Sequence, residues 1–197
     1  DSQQYADRAA GLFFMRVAFE QTSAQATSGT EQLRSDFAAI GDSFAMEWRL
    51  TLADEKPRML IAVSKGSHCL ADLLHRWQTG TLAVDIMGVV SNHPDMRRIT
   101  EWHGIPYHEL PPNGDKPAQE AALLDLFART RSEYLILARY MQVLSEELVT
   151  QLAGRCVNIH HSFLPGFKGP RPNHRAHERG IKLIGATAHV VTADLDE

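Results

Sequence analysis

The segment 158–165, NIHHSFLP, places an amide, two imidazoles and a hydroxyl within five residues. It follows an apolar run typical of a strand. Ligands bind at the carboxyl ends of strands in open α/β folds, and alternate strand residues face the same side. Asn158 and His160 are therefore expected side by side, with His161 pointing the other way. An amide donor beside an imidazole suits a carbonyl oxygen that becomes an oxyanion. The alternative is that these are satisfied polar residues near a surface.

A second group of candidate residues lies near the end of the sequence. His189 falls within the apolar run GATAHVV, and Asp196 follows it in a predicted loop. A carboxylate at the end of a neighbouring strand can contact an imidazole and hold it charged or correctly oriented. The alternative is that Asp194 and Asp196 are ordinary solvated acids, and spacing alone favours that alternative.

Two further segments have a position or a spacing that could suggest a nucleotide site or a metal site. Segment 64–70, SKGSHCL, occupies the position of a phosphate loop, but it matches neither GxGxxG nor a Walker loop. A nucleotide cofactor is therefore not expected, although the helix that begins there could hold an anion. His174 and His177 are three residues apart, without an HExxH motif. No catalytic metal is expected.

The composition limits the function classes. The chain has 197 residues, of which 44% are hydrophobic, enough for one large domain or for one medium and one small domain. A net charge of -4 argues against a nucleic-acid-binding surface. There is no run of about 18 apolar residues that could cross a membrane. Cys69 and Cys156 form no CxxC pair, which favours a reducing, cytoplasmic compartment.

Residues 1–54 are predicted to form a small α+β unit. Apolar residues recur at helical spacing after Thr30, the predicted N-cap, and Gly41 is predicted to end that helix. The charged segment 53–57 ends in a proline and is predicted to be a linker. Strands are predicted at residues 3–5, 12–19 and 45–52.

The remainder of the chain alternates strands with helices. Its first strand is a continuous apolar run, as expected for a strand buried on both faces. The alternation predicts a mainly parallel, doubly wound sheet. Strands are predicted at residues 59–63, 84–90, 106–110, 134–138, 155–160 and 185–191. Helices are predicted at residues 67–77, 95–103, 117–130, 145–152 and 175–179.

Two stretches, NIHHSFLPGFKG and HERGIKLIGATAHVVTADLDE, resemble the folate-dependent formyltransferase family. That family has an Asn-x-His-x-Ser-Leu-Leu-Pro-like motif and a later Leu-Asp motif. Three features are similar to its deformylase branch: NIHHS in place of NIHPS, the stretch LARYMQVLS, and a preceding ACT-like unit. The resemblance implies a Rossmann-like formyltransferase fold at 57–197, preceded by a partial ferredoxin-like ACT domain at 1–54. Segments missing at both ends are expected.

The resemblance also implies an activity and a site. The implied reaction is the hydrolysis of 10-formyltetrahydrofolate to tetrahydrofolate and formate, with no metal and no cofactor beyond the folate substrate. The implied catalytic residues are Asn158, His160 and Asp196. The implied folate-binding residues are Met141, Gln142, Val143, Leu144, Val191 and Asp194.

Other activities remain open at this point. The family alternative is transfer of the formyl group to an amine acceptor such as glycinamide ribonucleotide, but the glycine-poor loop carrying His68 disfavours a ribonucleotide. A different class is a non-catalytic amino-acid sensor, which the intact Asn158, His160 and Asp196 argue against. The resemblance further implies an amino-acid effector, with methionine and glycine as candidates, and a homo-oligomer.

Overall fold

The computed structural model describes residues 1–20, 29–112, 114–162, 164 and 172–194, with only the backbone of Pro172. The chain divides into two compact units, Asp1–Glu55 and Lys56–Glu197. Their boundary falls within segment 53–57, which the sequence analysis assigned to a linker. None of the described helices is long and apolar enough to span a membrane.

The described residues of the first unit form a hairpin and a helix. Strands β1 (Ser2–Asp7) and β2 (Leu12–Val17) pair antiparallel. Gly11 in the turn between them has a φ of +68°, a conformation that glycine adopts without steric cost. Helix α1 spans Thr30–Ser43. Of the ferredoxin-like part, the described residues show a two-stranded sheet and a helix.

The ends of α1 differ from the prediction. The N-cap is Gly29 rather than Thr30, which is already helical. Gly41 lies inside the helix and does not end it. A Cβ on Gly41 would lie 2.6 Å from Cδ1 of Trp48, so the glycine is explained by close packing instead of by a turn.

The predicted strand at 45–52 is wrong, because these residues form no strand. Ala45 has a φ of +50°, which interrupts an extended backbone. Trp48 packs edge-on against Phe37 of α1, with ring centroids 4.9 Å apart. The Leu50 carbonyl accepts a hydrogen bond from Arg34 Nη2 at 3.0 Å. Segment 45–52 therefore contacts the helix through Trp48 and the Leu50 carbonyl.

The second unit is a six-stranded sheet flanked by helices, and the prediction of a mainly parallel sheet is confirmed. The strand order is β5-β4-β3-β6-β7-β8, and only the β7–β8 pair is antiparallel. In chain order the elements are β3 (Arg58–Val63), α2 (His68–Gln78), β4 (Asp85–Ser91), α3 (Arg97–Trp102), β5 (Tyr107–Glu109), α4 (Lys116–Arg129), β6 (Tyr134–Leu137), α5 (Glu146–Gln151), β7 (Cys156–His160), α6 (Pro172–Glu178) and β8 (Thr187–Val190).

Alternate residues of the central strand β3 supply two separate cores. Ile61 and Val63 belong to a cluster that includes Leu70 of α2. Leu60 belongs to the other cluster, with residues of α4 and α5. All four of these side chains are fully buried, and full burial of such a side chain contributes about 1.5–3 kcal/mol each. These two cores hold the parallel strands in place, so that their carboxyl ends lie at one edge.

Candidate active site

Buried polar side chains concentrate at the carboxyl ends of the parallel strands. Among the described residues, five of the seven buried polar side chains lie there, against two elsewhere, Thr100 and Ser132. In open α/β folds this edge is where ligands bind. The five are Ser64 after β3, Ser91 and Asn92 at the end of β4, and His160 and Ser162 at the end of β7.

Asn158 and His160 occupy alternate positions of β7, as the sequence predicts for two side chains on one face. His160 is buried and Asn158 is half-buried. Across the antiparallel pair, Asn158 lies opposite His189 and His160 lies opposite Thr187. An amide and an imidazole therefore stand next to each other at the end of β7.

The Asn158 amide has a partner that the sequence analysis did not assign. Its Nδ2 lies 3.2 Å from Nε2 of His189. When Nδ2 donates, His189 Nε2 is the unprotonated ring nitrogen, and one of the two amide hydrogens remains for another acceptor. The sequence shows His189 within a strand, but only the antiparallel register places it opposite Asn158.

His161 lies just beyond the end of β7. Its ring centroid is 5.5 Å from that of His160, with the rings tilted by 35°. The expectation that the two rings point to opposite faces is not met, because strand alternation stops at His160, where the chain turns.

The turn after His160 is attached to β8. Thr187 Oγ1 donates to the Ser162 carbonyl at 2.7 Å and accepts from the backbone N–H of Leu164 at 3.1 Å. Thr187 therefore fixes the chain that leaves His160. These two hydrogen bonds stabilise the backbone that follows His160.

The predicted folate-binding residues Met141–Leu144, named the folate loop below, follow β6. Strand β6 lies between β3 and β7, so the loop leaves the sheet at the same edge as Asn158 and His160. Met141 is 61% exposed and Val143 is 66% exposed. Two large apolar side chains are thus available to a ligand at this edge.

The two predicted pocket residues after β8 are placed differently. Val191 extends the ladder, donating its N–H to the Cys156 carbonyl at 2.8 Å. It is therefore beside the start of β7, where it packs against the same apolar cluster as Leu144. Asp194 is exposed, and its carbonyl accepts from Thr192 Oγ1 at 3.0 Å. Asp196 lies outside the described residues.

Tyr140, which directly precedes the folate loop, and Cys69 both have raised pKa values. Burial, together with the Glu120 carboxylate, raises the pKa of Tyr140. Burial also raises the pKa of Cys69, and the Arg139 guanidinium partly opposes that rise. Both groups therefore stay protonated at neutral pH. No group of three or more His, Cys, Asp or Glu residues in the described part of the chain is arranged to hold a metal ion.

Comparison with known proteins identifies the family. The sequence profile described as "Formyl transferase" matches residues 57–197. The formyltetrahydrofolate deformylase of Corynebacterium sp. (strain P-1) is 50% identical over 196 residues, which cover 99% of this chain and 68% of that protein. Among solved structures, the formyltetrahydrofolate deformylase from Burkholderia mallei ATCC 23344 matches with a TM-score of 0.88 and 49% identity, over 100% of this chain and 69% of that one.

A second group of solved structures is more distant. The phosphoribosylglycinamide formyltransferase from Coxiella burnetii matches with a TM-score of 0.67 and 28% identity, over 73% of this chain and 69% of that one. The deformylase similarity extends over both units, whereas the transferase similarity covers less of the chain. The chain thus belongs to the formyl transferase family and, within it, to the formyltetrahydrofolate deformylases.

Proposed function

We propose that this chain hydrolyses 10-formyltetrahydrofolate to tetrahydrofolate and formate, with Asn158, His160 and Asp196 as its catalytic residues. The observation that carries the proposal is the placement of the Asn158 amide and the His160 imidazole at alternate positions of β7, at its carboxyl end. It occurs in a chain whose relatives are named for this reaction.

In the proposed reaction, water attacks the formyl carbon and the bond from that carbon to N10 breaks. Negative charge grows on the formyl oxygen, which Asn158 stabilises by donating an amide hydrogen and His160 by donating from its ring. Asp196, while ionised, stabilises His160 as imidazolium. It then accepts the proton of the attacking water and passes it to N10 as the bond from the formyl carbon to N10 breaks. N10 leaves protonated, and formate is the second product. No metal or redox cofactor is needed, because the formyl group is already activated on N10.

The contact between Asn158 and His189 supports this role for the amide. An Asn side chain has two N–H donors, and the one that binds His189 Nε2 fixes the direction of the other. A donor held in place before the reaction stabilises a developing oxyanion better than one that must reorient. We therefore assign the second amide hydrogen of Asn158 to the formyl oxygen.

The folate loop is proposed as one wall of the pterin pocket. A flat ring with several donors and acceptors suits exposed backbone N–H and C=O groups flanked by apolar side chains, and the loop offers both. Val191, which packs against the same apolar cluster as Leu144, is also proposed to line the pocket. Asp194 is proposed to belong to the other wall.

Transfer of the formyl group to an amine is less favoured. The phosphoribosylglycinamide formyltransferase is more distant than the deformylase, with 28% against 49% identity. A phosphate on the acceptor needs close backbone approach, and segment 64–70 holds one glycine, Gly66. His68 lies beside it: a Cβ on Gly66 would be 3.7 Å from the His68 ring.

We further propose that the N-terminal unit binds an amino-acid effector and pairs in a homo-oligomer. Large apolar side chains are exposed on both hairpin strands, including Tyr5, Phe13 and Phe14. An isolated two-stranded hairpin is marginally stable in water, so pairing with a second copy is favourable. A cytoplasmic location is proposed from Cys69 and Cys156, which are both free thiols.

The proposed function is tested by supplying 10-formyltetrahydrofolate without any amine and measuring formate and tetrahydrofolate. We expect both products in equal amounts. Asp196→Asn is expected to lose turnover while still binding tetrahydrofolate, because its expected role concerns the attacking water and not the pterin. A variant that keeps more than about a tenth of the wild-type rate would contradict the role of Asp196.

The acceptor is tested by adding glycinamide ribonucleotide at millimolar concentration. We expect no formylated product and no acceleration of folate turnover. Formylation of the ribonucleotide faster than release of formate would replace the deformylase proposal by the transferase alternative.

A further inference from the structure

Ser64 lies just after β3, is 2% exposed, and joins two other strand ends through its hydroxyl. Its Oγ donates to Oδ1 of Asn92 at 2.7 Å. The same Oγ accepts the backbone N–H of Met141 at 3.0 Å. Asn92 follows β4 and is 3% exposed. One buried hydroxyl thus connects the exits of β3 and β4 to the first residue of the folate loop.

The direction of these two hydrogen bonds is fixed by chemistry. A hydroxyl has a single hydrogen, and Asn92 Oδ1 can only accept it. The Ser64 oxygen is thereby left as an acceptor, which the N–H of Met141 requires. A buried polar group that loses its partner costs about 1–3 kcal/mol, so the pair strongly favours this one position for the start of the loop.

The other end of the folate loop is attached through Glu120 of α4. One oxygen of Glu120 accepts the N–H of Ser145 at 2.9 Å, and the other accepts the hydroxyl of Ser145. Ser145 is also the N-cap of α5, accepting from the N–H of Leu148 at 3.2 Å. The side chain of Glu120 is only 13% exposed.

Between these two attachments the loop itself is open. Within the described part of the chain, the backbone N–H groups of Gln142, Val143 and Leu144 have no hydrogen-bond partner. The loop is therefore held at its ends by side chains from β3, β4 and α4, while its own donors stay free for a ligand. Such an arrangement reduces the ordering cost of binding.

We propose that Ser64, supported by Asn92, is a positioning residue that sets the conformation of the folate loop for binding of the pterin. Ser64 does not contact the reacting atoms; it acts through the backbone of Met141. The inference rests on the proposed function, because it takes the ligand of the loop to be a folate. Loss of the hydroxyl weakens folate binding and leaves the chemical step at Asn158 and His160 nearly unchanged.

The test is Ser64→Ala, measured in two ways. Calorimetry with tetrahydrofolate is expected to show a dissociation constant raised on the order of tenfold, and KM for 10-formyltetrahydrofolate rises in parallel while kcat stays within about twofold. Amide hydrogen exchange by NMR is expected to be faster at Met141 and unchanged at Leu148, whose N–H binds Ser145 instead.

Ser132→Ala is the matched control. Ser132 is also buried, at 7% exposure, and its hydroxyl is bound to Thr130 Oγ1 at 2.7 Å near the start of β6, at the opposite edge of the sheet. The substitution Ser132→Ala removes a hydroxyl from a similarly buried position, as Ser64→Ala does. The dissociation constant of tetrahydrofolate is expected to stay at the wild-type value. If Ser64→Ala does not fold, Asn92→Ala is used, with a smaller rise in the dissociation constant expected in the same direction.

Three outcomes overturn the inference. The first is unchanged exchange at Met141, which shows that Ser64 does not hold the loop. The second is faster exchange with unchanged tetrahydrofolate binding, which shows that the held loop is not a folate wall. The third is a fall in kcat with unchanged binding. Wild-type protein that binds tetrahydrofolate but releases no formate refutes the proposed function alone, and the binding and exchange measurements still decide the inference.

Discussion

The two edges of the six-stranded sheet use polar groups in different ways. At the amino-terminal edge, Arg58 and Glu133 bind each other's backbone: the Arg58 N–H donates to Glu133 Oε2 at 2.9 Å, and the Glu133 N–H donates to the Arg58 carbonyl at 2.8 Å. At the carboxyl-terminal edge, side chains bind side chains, as in the Ser64–Asn92 and Asn158–His189 pairs. The first arrangement joins neighbouring strands. The second fixes polar side chains at the end of the sheet where the candidate site lies.

This difference shows which polar contacts stabilise the sheet and which belong to the candidate site. The contacts of Arg58 and Glu133 at the amino-terminal edge stabilise the strands. Side-chain pairs at the carboxyl-terminal edge require polar groups to be buried, which is costly unless each is hydrogen-bonded. Changes to the first contacts should therefore affect unfolding, and changes at the candidate site should affect folate binding or catalysis.

The largest effect is expected for His160→Gln. Glutamine keeps a polar side chain of similar size but cannot become a cation, so kcat is expected to fall on the order of 10²–10³-fold. The denaturation midpoint in urea is expected to stay close to that of the wild type. His108→Gln, on β5 of the same sheet, is the control and should retain activity. Equal losses in the two variants would contradict the assignment of His160.

The second prediction concerns the amino-terminal edge. Glu133→Ala removes the acceptor of the Arg58 N–H, and the free energy of unfolding is expected to fall by about 1–2 kcal/mol, measured by urea denaturation. The kcat/KM of formate release per folded molecule is expected to stay unchanged. A loss of activity without a loss of stability would show that the two edges are not functionally distinct.

The smallest effect is expected in the alkylation rates of the two cysteines, one of which lies at each edge of the sheet. Cys156, at the start of β7, is 1% exposed, and burial raises its pKa from 9.0 to about 12. Cys69, in the first turn of α2, is half-buried. A thiol-alkylating reagent at pH 8, followed by mass spectrometry, is expected to modify Cys69 well before Cys156. Faster reaction of Cys156 in the folded protein would contradict this order.

The same shift gives a pH dependence of stability. The folded-state pKa of Cys156 lies above the unfolded value. The contribution of this thiol to the free energy of unfolding is therefore fully present below pH 9 and is lost as the pH rises towards about 12. Cys156→Ala is expected to flatten the fall of unfolding free energy over that range. An identical fall in the variant would show that another group causes it.

Much of the second unit could be predicted because its strands are continuous apolar runs bounded by polar residues. Such runs indicate strands buried on both faces, and β3 and β6 are found where they were expected. Placing Asn158 and His160 on one face required only strand alternation. The prediction that Ser145 is the N-cap of α5 is confirmed. It could be made from the sequence because the side chain of Ser145 bonds to a residue only a few positions away.

The remainder depended on contacts that sequence patterns do not contain. The alternation in segment 45–52 is used for packing of Trp48 on α1, and a period of two does not distinguish that from pairing with a strand. The direction of β8 is not given by its composition, so neither the contact of His189 with Asn158 nor the place of Val191 beside the start of β7 could be predicted. The catalytic role of Asp196 stays a prediction.

The position of β3 at the centre of the sheet has a consequence for synthesis of the protein. Leu60 pairs with Leu135 of β6, although β3 is made long before β6. Translation adds about 5–20 residues per second, so one side of a strand that is apolar from Met59 to Val63 stays unpaired on the ribosome for seconds. An open strand edge is a template for pairing with another chain. Slower initiation or a lower temperature, which keeps nascent copies fewer and farther apart, should therefore raise the yield of correctly folded protein.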